Sequence, residues 1–171
     1  AAEKSVWANR HPWLTVIATV TLLLIAAIPF SSMRLGLPDG SAESPDSSPY
    51  RAYVITTDAF GPGFNSQIPT VLTMPEAVAK DDLTKLQAEV ATKLFALDNV
   101  SAVVPAAVSD DNKTLLFQVV SSVEPSSVET EKLVRDLRAL DANFKSEYNA
   151  ELGVTGLTAT NIDISKKIAD V

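Results

Sequence analysis

Residues Pro12–Phe30 read PWLTVIATVTLLLIAAIPF, nineteen residues without a charge. A helix of that length rises at ~1.5 Å per residue to about 28 Å, near the hydrocarbon thickness of a bilayer. Its polar groups are the hydroxyls of Thr15, Thr19 and Thr21 and the indole N–H of Trp13. Threonine hydroxyls bond back to helix carbonyls and cost little in lipid. Two other readings compete. A helix buried in a soluble core would carry one apolar stripe, whereas this stretch is apolar on all sides. A secretory signal has a shorter apolar core, and Phe30-Ser31-Ser32 is a poor small-residue cleavage site. The stretch therefore predicts a transmembrane helix over 12–30, with Trp7 and Trp13 near the headgroup layer.

The flanks predict its orientation. Lys4, Arg10 and His11 precede it; one basic residue, Arg34, follows, and then Asp39, Glu43 and Asp46. The positive-inside bias makes 1–11 a cytoplasmic flank and the long C-terminal part extracytoplasmic. After Phe30 about 140 residues remain, enough for one domain with a core of its own. They carry twelve basic against twenty acidic side chains, within a whole-chain charge of −7. No basic patch or run stands out, which argues against nucleic acid and against a polybasic grip on lipid. Without cysteine, disulfides and thiolate metal sites are excluded. The chain begins at Ala1, not Met, and is expected to be a piece of a longer protein or a processed chain.

Residues 31–48 form a linker by composition, with Gly36, Pro38, Gly40, Pro45 and several serines. Pro49 to Phe60 reads as a helix with Tyr50, Tyr53, Val54 and Thr57 on one side. Gly61-Pro62-Gly63 then makes a structural turn before Phe64-Asn65. Ile68 to Met74 is a short strand. Asp81 to Leu97 is a helix with Leu83, Leu86, Val90, Leu94 and Leu97 on one face and Asp81 as its cap. Val100 to Ala107 is a strand whose Pro105, near its end, points to an edge position or a strand terminus. Asp110-Asp111-Asn112 is a turn, and Thr114 to Ser122 the best strand. Ser126 to Tyr148 is one long helix opened by a Ser126/Glu129 capping box, with Leu133, Leu137, Leu140, Phe144 and Tyr148 inward. A strand over Ala150 to Thr155 and a helix from Thr158 to Val171 follow. The middle is therefore β-α-β-β-α-β, the split pattern of a ferredoxin-like sandwich. The predicted fold class is α+β, one N-terminal transmembrane helix followed by that domain.

Little in the chain points to catalysis. His11 stands alone beside the membrane stretch, so neither a histidine triad nor a histidine metal site can form in the outer domain. The acids Asp39, Glu43 and Asp46 lack Ca²⁺-loop spacing. The loop 61–65 lacks the Lys and Ser/Thr of a phosphate loop. No cofactor, metal or catalytic residue is predicted. Ferredoxin-like acylphosphate hydrolases need an Arg and an Asn in an anion loop near the first strand; Asn65 is present and the Arg is not.

Three pieces resemble one family. HPWLTVIATVTLLLIAAIP followed by MRLGLPDGSAES, residues 11–29 and 33–44, resembles the start of the second half of MMPL-type transporters of the RND superfamily. The likeness is to the actinobacterial lipid and drug exporters. YRAYVITTDAFGPGFN, residues 50–65, looks like the family's helix with its FGPGFN turn. Gly156 to Asp163, GLTATNID, is similar to the segment leading into the next membrane helix. Pro69-Thr70 departs from the more apolar first strand expected there. The resemblance implies a cell-membrane transporter driven by proton motive force. Here it would supply the first helix of the second half (12–30), an extracytoplasmic porter domain (49–156) and the start of a helix returning to the membrane (157–171). Implied partners are the lipid bilayer, the rest of the transporter and a lipid or amphiphilic cargo, with no nucleic acid. Tyr53, Phe60 and Phe64 are candidates for the substrate route, because such a route needs aromatic or apolar lining. The remaining alternative is a complete single-pass protein with an extracytoplasmic binding or assembly domain.

Overall fold

The computed structural model describes residues 12–28, 38–65 and 67–169. The expected cytoplasmic flank, the start of the linker, Arg34 and the last two residues lie outside them. The chain divides into two units, Ala1–Leu35 and Gly36–Val171.

In the first unit, α1 spans Pro12–Ala27, sixteen residues with none buried. The Thr19 hydroxyl donates to the Thr15 carbonyl at 2.8 Å, so this polar group is met by its own helix. At sixteen residues α1 is about 24 Å long. Among the described residues no helix is long and apolar enough to cross a membrane. The span expected over 12–30 is thus seen as a helix only to Ala27, with Pro29 and Phe30 outside the described residues.

The second unit opens with a 3-10 turn, Gly40–Ala42, and helix α2, Ser48–Phe60. Ser47 caps α2 by accepting from the Tyr50 N–H at 3.3 Å, and Pro49 lies in the first turn, where its missing N–H costs nothing. After a second 3-10 turn, Pro62–Asn65, come β1 (Ile68–Thr73), α3 (Lys80–Phe95), β2 (Val100–Val108) and β3 (Thr114–Ser121). Then follow α4 (Val128–Ala139), α5 (Asp141–Tyr148), β4 (Glu151–Val154) and α6 (Leu157–Ala169).

The four strands form one antiparallel sheet in the order β2-β3-β1-β4. Two β-α-β units are interleaved, since β3 lies between β1 and β2 and β1 lies between β3 and β4. Ile68, Thr70 and Leu72 of β1 and Leu115, Phe117 and Val119 of β3 alternate toward the helices and are buried. They meet Val90 and Leu94 of α3, Leu133, Val134 and Leu137 of α4 and Phe144 of α5 in one core. Each of these large apolar side chains contributes about 1.5–3 kcal/mol by leaving water. On the opposite sheet face Pro69, Val71, Leu116 and Gln118 are only half-buried.

Several local expectations are corrected. The long helix after Ser126 is two helices, because the Leu140 N–H turns to the Leu137 and Asp136 carbonyls and tightens the chain there. Just beyond the break, the Asp141 carboxylate accepts the Leu152 N–H at 2.8 Å and ties α5 to β4. The cap is Ser127, not Ser126: its hydroxyl accepts the Thr130 N–H at 3.1 Å. Asp81 does not cap α3, whose N-cap is Ala79 with no side-chain bond; Asp81 lies in the first turn. There its charge still favours the positive end of the helix.

Pro69 proves compatible with a strand. Its carbonyl accepts the Thr155 N–H at 3.0 Å, just past the last β1–β4 pair, Thr70 with Val154. The N–H that proline lacks would point to that same side, beyond the end of the ladder. The ring there needs space, and Gly156, at φ +111°, supplies it: a Cβ would stand 3.0 Å from the ring's Cδ.

Candidate functional site

The expected site residues lie on α2 and the turn that ends it. Gly61 closes the helix by donating its N–H to the Thr57 carbonyl at 2.9 Å, at φ +93°. That positive φ favours glycine even though nothing crowds its Cβ position. Pro62 then leads the 3-10 turn, and the Phe64 N–H returns to the Gly61 carbonyl at 3.2 Å. Gly63 is glycine for a different reason. It is buried against the end of β3, and a Cβ there would come within 2.0 Å of the Ser121 carbonyl oxygen. Asn65 completes the turn by folding back on α2. Its Nδ2 donates to the Tyr53 carbonyl at 3.1 Å and to the Thr57 hydroxyl at 2.7 Å.

This closure brings Phe60 and Phe64 together. Their rings stack with centroids 4.8 Å apart and planes 25° apart. Phe60 is 67% exposed and Phe64 37%, and Ile55 of the same helix is also exposed. The pair is therefore an aromatic patch held on a tied turn, facing water. Tyr53 is not part of it. It is half-buried beside the 3-10 turn 40–42, where a Cβ on Gly40 would stand 3.0 Å from the Tyr53 Cβ. Burial raises the Tyr53 phenol above its ordinary value, and the charges of Asp39 and Glu124 add to this, against the hydroxyls of Thr57 and Ser41. The structure thus joins two of the three expected aromatic candidates and gives the third to the packing of residues 39–42.

Two arrangements carried no sequence signal. The first is a groove of about 520 Å³ where α3 meets α5, lined by Lys93, Leu97, Leu140, Asn143 and Phe144 among others. Lys93 is ion-paired with Glu147, and its ammonium lies 5.0 Å from the centroid of the Tyr148 ring. The Glu147 partner raises the Lys93 pKa, and Lys93 in turn lowers that of Glu147, so the groove's charges are neutralised within it. The second is the pairing of Arg138 with Asp163, twenty-five residues apart. Periodicity marks the inward face of a helix but says nothing about which outward charges meet. Among the described residues, no group of three His, Asp or Glu side chains could hold a metal ion.

No family model matches the sequence. Among curated proteins the chain is 31% identical over 173 residues to the membrane protein YdfJ of Bacillus subtilis, covering 99% of this chain and 23% of that protein. It is 29% identical to the mycolic acid-containing lipids exporter MmpL11 of Mycolicibacterium smegmatis, over 99% of this chain and 18% of the exporter. It is 25% identical to the heme uptake protein MmpL11 of Mycobacterium tuberculosis, over 95% of this chain and 17% of that protein. The chain therefore spans less than a quarter of the length of these relatives. Over nearly its full length, the chain is homologous to a segment of MmpL-family transporters.

Proposed function

We propose that this chain is a porter-type extracytoplasmic domain, with its membrane helix, of a proton-motive-force-driven exporter of lipids or other hydrophobic compounds. The observation that carries this reading is the match to a named exporter of mycolic acid-containing lipids, collinear over 99% of the chain. On this reading residues 12–30 span the cell membrane, 1–11 are cytoplasmic, 31–48 link, 49–156 form the domain and 157–171 lead back to the bilayer. The character of α1 supports it, since it is apolar on every side and Thr19 is satisfied by the helix's own backbone. Transporters commonly repeat such halves.

The cargo route would run past Phe60 and Phe64, whose stacked rings offer an apolar surface that water does not reward. Tyr53 would act behind them through the shape of residues 39–42. Proton movement in helices outside this chain would rock the domain through its two connections to the membrane, 31–48 and 156–163. A heme also has a broad apolar face, beside two charged propionates, and one relative is named for its uptake; identity to the lipids exporter is higher, 29% against 25%.

The test is transfer of a labelled long-chain lipid by the parent protein in vesicles with an imposed proton gradient. Gradient-dependent transfer that falls several-fold in Phe60→Ala/Phe64→Ala is the expected result. Transfer indifferent to the gradient would end the transporter reading, and transfer indifferent to the double variant would remove the aromatic pair from the route. A native protein of only 18.2 kDa in membranes would favour the single-pass alternative instead.

A further inference from the structure

We propose that Arg138 and Asp163 form a clasp that makes α6 a rigid lever of the sandwich instead of a flexible tether. The importance of such a lever rests on the reading that α6 leads back to the bilayer. The clasp itself stands on geometry alone. Helix α6 leaves β4 through Gly156, packed 3.0–3.2 Å from the Pro69 ring and the Gln67 carbonyl by its Cβ position. Its first turn is then sunk into the domain. The buried Thr158 hydroxyl donates to the Pro125 carbonyl at 3.0 Å, Ala159 is 1% exposed, and Ile162 packs on the core.

The last of these attachments is the ion pair. Arg138 Nη1 donates to Asp163 Oδ1 at 2.7 Å and Nη2 to Oδ2 at 2.9 Å. Two parallel bonds between a planar guanidinium and a planar carboxylate fix orientation as well as distance. Asp163 holds Arg138 more firmly protonated, and Arg138 lowers the Asp163 pKa, so both remain charged at neutral pH. Beyond Asp163 the character of the helix changes: Ile164 and Ile168 are 42% and 57% exposed. The clasp therefore lies where the buried first turns of α6 give way to a more exposed stretch, in which Ser165 is still half-buried. Arg138 is in the last turn of α4, whose Leu133, Val134 and Leu137 are core residues. Arg138 and Asp163 are 35% and 60% exposed, so the pair adds a modest, orienting tie through which a push on α6 would reach α4 and the sheet.

Hydrogen–deuterium exchange on the whole chain in detergent micelles tests this. Arg138→Gln and Asp163→Asn are each expected to speed exchange of the 163–168 amides about fivefold, leaving the β3 amides unchanged. The reversed pair R138D/D163R is expected to restore exchange to within about twofold, since it keeps the attraction with the partners exchanged. Arg138→Lys, which keeps the charge and loses the fork, should speed exchange by less than Arg138→Gln but still measurably. Unchanged α6 exchange in both single variants would overturn the clasp, as would failure of the reversed pair to restore it. A rise in β3 exchange alongside would also overturn it, by showing general loosening. None of these outcomes depends on transport, so the clasp and the transporter reading fail separately.

Discussion

Helices α2 and α6 flank the same sandwich and are held to it by opposite means. Helix α2 buries no residue completely. It keeps its shape through Ser47 at one end, Gly61 and Asn65 at the other, and one close backbone approach at Gly63. Helix α6 instead sinks Thr158 and Ala159 into the interior and adds the Arg138–Asp163 pair at the surface. The first is a structure of hydrogen bonds and turn geometry; the second depends on the core.

The comparison breaks most severely at Phe144, which is 1% exposed in the core that also contains Ala159. Phe144→Ala should cost about 3–5 kcal/mol of stability in urea unfolding. Exchange in α6 should rise with that of the sheet, while the Asn65 ties hold α2 until global unfolding. Exchange in α2 rising in step with that of the sheet would show that it too leans on the core. At Gly63 the break is on the other side. Gly63→Ala must move backbone, not a flexible side chain, to escape the Ser121 carbonyl, at a cost of about 1–3 kcal/mol. The turn should lift from β3, and the Phe64 environment should change with α6 protection untouched. Gly61→Ala meets no atoms, but φ +93° with ψ 162° is a backbone region essentially reserved for glycine, so the strain alone should cost about 1–3 kcal/mol and loosen the end of α2.

Acid gives the smallest and most selective effect. Asp141 has its pKa lowered first by the Leu152 N–H and then by Lys145, so its contribution is complete above its unfolded value and is lost as pH falls below about 4. The ties of α2 use a neutral amide, Asn65, and do not titrate. Acid unfolding followed at β4 should therefore shift in Asp141→Asn, which has no proton to gain, with no shift in the α2 signal. An acid response of the wild type identical to that of Asp141→Asn would count against this division.

What could be read from the residues alone follows the same division. The β-α-β-β-α-β order was legible because Leu83, Leu86, Val90 and Leu94 recur with helical spacing and Thr114 to Ser121 is rich in strand formers. Pro105 leaves β2 either at the edge or ending there, and the sheet order places it at the edge with the strand continuing to Val108. The break at Leu140 was hidden, since Leu140 and Phe144 keep the apolar period across it. The Gly61-Pro62-Gly63 turn was visible as a turn, but the reason for Gly63 lies at Ser121, fifty-eight residues away. The stacking of Phe60 on Phe64 and the exclusion of Tyr53 depend on how Asn65 folds back, which no spacing rule encodes.

Strand β2 has a consequence of another kind. It lies at the sheet margin with Val104 52% exposed, and its pairing slips between Val100 and Ala102 and again between Pro105 and Ala107. Pro105 has no N–H to offer, and the two irregularities break the even spacing that a foreign strand would need to add itself. The other margin, β4, is only four residues long. Copies crowded together, whether in a test tube or in one patch of membrane, thus find no long straight template on which to polymerise. The sandwich can show apolar rings to its surroundings while keeping its margins closed to amyloid-like growth.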